Sequence, residues 1–206
     1  MIKIFGSTHL DKEEDIIKII ESEKPDILGV ELCELRVNTI LNEDKLIVNG
    51  EIGKGMSSYA VRSNNLLDKI TNSIKKKAEE NKLDYGSDMK CVLRYANKNN
   101  IPLLLVDMPI LKIKELFNKI PKSEQEGFTK SLMEFENKGQ IDKEINEEEV
   151  LNNLKTNYPI AFEFLINMRN LYISNQIIKA MIKYPDKKIL VFLGKSHTKQ
   201  IEVMIQ

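Results

Sequence analysis

The chain has 206 residues, enough to bury one sizeable core, and reads as a single domain over residues 1–206. Lys plus Arg and Asp plus Glu number 31 each, so the net charge is +0 and no half offers the uniformly basic surface that a phosphate backbone attracts; nucleic acid is excluded as a first partner. Two cysteines outside any Cys-x-x-Cys spacing exclude a disulfide framework, and no stretch approaches the roughly 18 apolar residues that span a bilayer, so a soluble cytoplasmic protein is expected.

In chain order, Ile2-Lys3-Ile4-Phe5 is a short apolar run that ends in Gly6-Ser7-Thr8-His9. The acidic stretch Asp11-Lys12-Glu13-Glu14-Asp15 opens a helix with Ile16, Ile17, Ile19 and Ile20 at helical spacing, stopping near Pro25. Ile27-Leu28-Gly29-Val30 is a second apolar run with Glu31 at its end, and the separation of about 20 residues suits a strand–helix–strand unit. Residues 33–42 read as a helix bearing Arg36. Asn49-Gly50, Gly53 and Gly55 mark a loop and candidate lid, followed by a polar helix over residues 63–81. Gly86-Ser87-Asp88 starts another helix, with Ser87 or Asp88 available to cap it. Ile101-Pro102-Leu103-Leu104-Leu105-Val106-Asp107 reads as a third interior strand, its proline at the entry and its acid at the exit. Residues 111–184 read as helical, with Glu144, Glu147, Glu148 and Glu149 as a solvated helix start and residues 158–184 as the longest apolar-periodic helix, interrupted by Arg169. A last strand, Ile189-Leu190-Val191-Phe192-Leu193, runs into Gly194-Lys195-Ser196-His197.

Both histidines thus occupy the third place after a glycine that closes a strand-like run. With nine glycines in 206 residues, a glycine three places before a given histidine has a chance of roughly 4%, and before both roughly 0.2%. A strand ending in this way delivers an imidazole to the carboxyl edge of a sheet, where open α/β folds place their ligands, and glycine permits a tight turn there. The expected fold is therefore α/β, a central mostly parallel sheet with a strand-end crevice, flanked by helices that include long insertions. Side by side, the four strand ends would gather His9, Glu31, Asp107 and His197, a set suited to a divalent ion such as Mn, Co or Zn with positions open for water and substrate. Without metal, the same imidazoles act as general base and acid, with Glu31 orienting one of them. Arg36 and Arg169 are the cations expected near the site, to bind a substrate carboxylate or steady developing negative charge, or else to pair with the acids. Ser7, Thr8 and Ser196 are hydrogen-bond donors rather than nucleophiles, since no Gly-x-Ser-x-Gly elbow occurs.

These motifs resemble the TraB/PrgY family, which belongs with the Tiki metalloproteases, the erythromycin esterases and the GumN-like proteins. Gly6-Ser7-Thr8-His9 resembles the family's first Gly-x-x-His, and Gly194-Lys195-Ser196-His197 its second. Pro25-Asp26-Ile27-Leu28-Gly29-Val30-Glu31-Leu32-Cys33-Glu34-Leu35-Arg36 resembles Pro-Asp-x-x-x-x-Glu-Leu-x-x-x-Arg, the most specific block. Gly86-Ser87-Asp88-Met89-Lys90 is similar to a Gly-x-Glu-Phe-Arg element, Asp107-Met108-Pro109 to Asp-Arg-Pro, and Met168-Arg169-Asn170 to Glu-Arg-Asp/Asn, with Asp88, Met108 and Met168 as departures. The resemblance implies a site built from both histidines, Glu31 and the arginines, and a metal-dependent hydrolase, a peptidase by analogy with Tiki; TraB/PrgY members are associated with reducing the activity of peptide pheromones. A non-catalytic peptide-binding protein and a metal-free His/Glu esterase are the alternatives. The expected partners are a peptide or small amide or ester, a second copy in a homodimer, and a membrane only where a C-terminal extension follows.

Overall fold

The structure, a computed structural model, describes residues 1–7, 11–48, 86–139 and 147–206. Among the described residues four strands, β1 (Ile2–Ser7), β2 (Ile27–Val30), β3 (Leu103–Leu105) and β4 (Ile189–Gly194), form a wholly parallel sheet in the order β1-β4-β2-β3. The expected α/β architecture is therefore present. The last strand enters between the first two, pairing Ser7 with Gly194 on one side and Val30 with Phe192 on the other.

Both faces of the sheet are covered, as continuous apolar runs require of parallel strands. On one face Leu28, Val30, Leu190 and Phe192 pack with α1 (Glu13–Glu23), α2 (Glu34–Val48) and α3 (Ser87–Lys98) through Ile16, Ile20, Ile40, Met89 and Val92. On the other, Ile27, Ile189, Val191 and Leu193 meet α8 (Met168–Lys183) and α9 (Lys195–Met204) through Ile173, Ile177 and Ile201. Strand alternation sorts β4 between these two cores, and Gly29 faces Val191, whose side chain lies 2.9 Å from where a β-carbon would sit.

Between β3 and β4 the chain builds α4 (Ile110–Lys119), α5 (Lys122–Gly139), α6 (Glu147–Asn157) and α7 (Pro159–Phe162), with Phe117, Phe128, Leu154, Ala161 and Phe162 in a separate cluster. The apolar helix expected over residues 158–184 is present but not uniform: a π-helical turn, Glu163–Asn167, joins α7 to α8.

Three expectations are corrected. Among the described residues β3 is an edge strand of three partly buried residues, not an interior one, because β4 takes the central place beside β2. Neither Ser87 nor Asp88 caps α3; the cap is Gly86 at φ 76°, a left-handed conformation that glycine adopts without penalty. Gly194 makes no special turn, with φ −57° and ψ 136°, whereas Gly6 is needed for contact: a β-carbon there would stand 2.7 Å from Thr198 Oγ1 of α9. The glycine-rich candidate lid, the polar helix over residues 63–81, Glu144 and His9 lie outside the described residues.

Candidate functional site

β2, β3 and β4 end at one rim, and the residues just beyond them supply Glu31, Asp107 and His197. His197 is the third residue of α9, so the strand's exit and the first turn of the helix together set its imidazole. Arg169, early in α8, reaches into the same rim from the helical layer. The structure thus brings together five of the residues singled out in the sequence: Glu31, Arg36, Asp107, Arg169 and His197.

Arg169 is the hub. Its Nε donates to Asp107 Oδ1 at 2.7 Å, and its Nη2 donates to Asp107 Oδ2 at 2.9 Å and to Glu31 Oε1 at 2.6 Å. Its Nη1 lies 3.4 Å from His197 Nε2. Arg36 donates to Asp107 Oδ2 at 2.8 Å from α2, its side chain 38% exposed while that of Asp107 is fully covered. Glu31 closes the ring: Oε2 accepts the Gly194 backbone N–H at 2.6 Å, a carboxylate set at the start of α9 where it complements the helix dipole, and Oε1 lies 3.8 Å from His197 Nε2. Two carboxylates and two guanidiniums, bound in part bidentately, satisfy the charge-pairing that burial demands.

The imidazole is fixed from behind. His197 Nδ1 lies 2.5 Å from Asn170 Oδ1, and the Asn170 amide donates from Nδ2 to Gln200 Oε1 at 2.6 Å. Nδ1 thus faces an amide oxygen, and Nε2 is turned towards Glu31 and Arg169.

Asp88, fully buried, holds a hydrogen bond from Ser7 at the end of β1, and Ser87 donates to the Asp11 carbonyl at 3.4 Å. The hydroxyl of Ser7 is thus committed to an acid of α3. Asn170 was marked in the sequence as the last residue of the Met168-Arg169-Asn170 element, whereas Gln200 carried no signal beyond a three-residue spacing from His197.

All four carboxylate oxygens of Glu31 and Asp107 already accept hydrogen bonds, and a guanidinium occupies the space between these acids and His197. Among the described residues no group of three or more His, Cys, Asp or Glu side chains is arranged to hold an ion. His9, the other expected ligand, is outside them.

No protein-family model matches the chain. It is similar to an uncharacterized protein of Methanocaldococcus jannaschii, 24% identical over 97% of this chain and 52% of that protein, so the chain spans about half the length of the curated relative it matches. Among the described residues no helix is long and apolar enough to cross a membrane.

Proposed function

We propose that the chain is a hydrolase of amide or ester bonds of the TraB/Tiki type, acting on a peptide or small substrate with His197 as its acid–base group. The observation that carries this reading is the clamped imidazole, its Nδ1 held by Asn170 and its Nε2 turned to the Glu31–Arg169 pair. In this mechanism Nε2 takes a proton from water as the water oxygen attacks the substrate carbonyl. It then returns that proton to the leaving amine or alcohol as the carbon–heteroatom bond breaks. Arg169 Nη1, beside Nε2, steadies the developing oxyanion, while Glu31 and Asp107 hold the guanidinium in place. Arg36, partly exposed, offers the rest of its fork to a substrate carboxylate.

A divalent ion, Mn, Co or Zn, is the second reading, and one observation favours it. β1 and β4 are parallel neighbours with Ser7 opposite Gly194, so the chain leading to His9 leaves the same edge as the chain leading to His197.

The test compares the parent with His197→Ala and Glu31→Gln on chromogenic esters and a peptide library, with elemental analysis of protein purified without chelator. Loss of turnover by about 10²–10⁴-fold, with unchanged circular dichroism, supports the acid–base role. Stoichiometric metal that disappears in a His9→Ala/His197→Ala variant moves the assignment to the metal-dependent form. Peptide binding with substrate left intact replaces the hydrolase with a binding protein.

A further inference from the structure

The two ring nitrogens of a histidine are interchangeable in sequence but not in chemistry, and four residues behind His197 decide between them. Starting at the surface, Glu163 Oε2 accepts from Asn167 Nδ2 at 2.8 Å. Asn167 Oδ1 accepts from Gln200 Nε2 at 3.1 Å, Gln200 Oε1 from Asn170 Nδ2 at 2.6 Å, and Asn170 Oδ1 faces His197 Nδ1 at 2.5 Å. We propose that this chain of three amides ending on a carboxylate is a positioning relay that fixes the hydrogen of His197 on Nδ1 and presents the Nε2 lone pair to the site.

The direction of the relay follows from its far end. An ionised carboxylate accepts only, so Asn167 must turn its NH₂ towards Glu163 and its oxygen towards Gln200. That choice passes down the row. Reversing Gln200 alone would set oxygen against oxygen at Asn167 and N–H against N–H at Asn170, partners that are half-buried and buried. At the end Asn170 presents an oxygen, and the only ring nitrogen that can face it is one that carries a hydrogen. An imidazole in water prefers its hydrogen on Nε2, so the relay reverses the intrinsic preference.

The scaffold is two helices side by side. Asn167 and Asn170 are three apart, as are His197 and Gln200 on α9, so each pair lies on one helix face and the row zigzags between them. Glu163 and Asn167 are the first and last residues of the π-helical turn, which places the row's outer end. Such turns recur at functional sites because they re-aim side chains without ending the helix. The consequence for turnover rests on the hydrolase reading above; the tautomer does not.

The chain contains two histidines, so protein labelled with ¹⁵N-histidine gives two imidazole patterns, separated by a His9→Gln variant. Long-range proton–nitrogen correlation near pH 8 reads the tautomer directly. The parent should show His197 with a pyrrole-type Nδ1 and a pyridine-type Nε2. Gln200→Leu should move both signals towards the mixture of an exposed histidine. Gln200→Glu, which keeps an acceptor for Asn170, should restore the parent pattern. Glu163→Gln, at the exposed end, provides a folded variant in which a smaller shift of the same sign is expected. A parent ring protonated on Nε2, or a Gln200→Leu spectrum identical to the parent, overturns the relay. If the protein hydrolyses substrate, Gln200→Leu should lower kcat by about 10-fold or more with KM little changed, as for other groups that orient a functional histidine. Absence of hydrolysis in a parent with the expected tautomer counts against the hydrolase and leaves the relay standing.

Discussion

The two edges of the sheet use the same chemistry in opposite surroundings. At the amino edge, Lys3 and Lys188 pair with Glu23 at 2.5 and 3.1 Å and Lys187 pairs with Asp26 at 3.2 Å, all partly or largely in water. At the carboxyl edge, Glu31 and Asp107 are almost wholly covered and are held by Arg169 and Arg36. Exposed pairs add little because water already solvates each charge; covered ones must replace that solvation in full. The amino edge ties neighbouring elements together cheaply, whereas the carboxyl edge maintains an arrangement that is costly to desolvate.

The largest expected break comes from the covered edge. Arg169→Met leaves two carboxylates without their shared guanidinium, and we expect a loss of about 3–5 kcal/mol in urea unfolding. A variant as stable as the parent would mean that the rim's charges are solvated after all.

Next comes the fit of α9 against β1. Gly6→Ala puts a β-carbon against Thr198 Oγ1 at 2.7 Å and Lys195 Cα at 3.3 Å, and should cost about 1–3 kcal/mol; adding Thr198→Ala should recover part of it, and a double mutant no better than Gly6→Ala would shift the clash to the backbone.

Cys91 extends the contrast to a covered group that is not ionised. Burial pushes its thiol up from 9.0 to about 11, with Glu13 adding to the effect. The unfolded chain releases this proton first, so stability should be flat below pH 9 and fall as pH rises towards about 11. In the folded protein at pH 8, Cys91 should resist iodoacetamide, read by mass spectrometry; rapid labelling would contradict its burial.

The smallest effect belongs to the amino edge. Glu23 is held below its usual range by hydrogen bonds from Lys3 and Lys188, and Asp26 by the Lys188 backbone N–H and Lys187. Their modest contribution is present above the unfolded values of 4.5 and 3.8 and is lost as pH falls below them. Glu23→Gln should shift the thermal midpoint barely beyond replicate scatter at low salt and not at all in 1 M NaCl; a large shift would erase the distinction between the edges.

Much of this rim was legible because strands announce themselves as short apolar runs and the polar residue that ends each run is conspicuous. Glu31, Asp107 and His197 were visible in that way, and Arg169 stood out as a charge in an apolar helix. Strand order was not legible, since nothing in β4's composition says that it lies between β1 and β2, and the apolar run of β3, with its proline at the entry and its acid at the exit, reads the same for an interior strand as for an edge. Asp88 read as a helix cap because an acid near a helix start is the usual capping signal, and its pairing with Ser7 of a distant strand leaves no local trace. Asn170 stood in the element around Arg169, but Asn167 and Gln200 are neutral, common residues whose meaning comes only from lying on two adjacent helices, and the π-helical turn that spaces them has no sequence signature.

The central place of β4 also sets an order of events. Among the described residues, β1 pairs with β4 alone, so β1 lacks that neighbour until residues 189–194 emerge. At synthesis rates of about 5–20 residues per second, that wait is on the order of ten seconds or more. β2 and β3 can pair early, but Glu31 then lacks both the Gly194 amide and its guanidinium partner. Contacts this distant in sequence slow folding, and here they also leave the rim unassembled until β4 takes its place between β1 and β2.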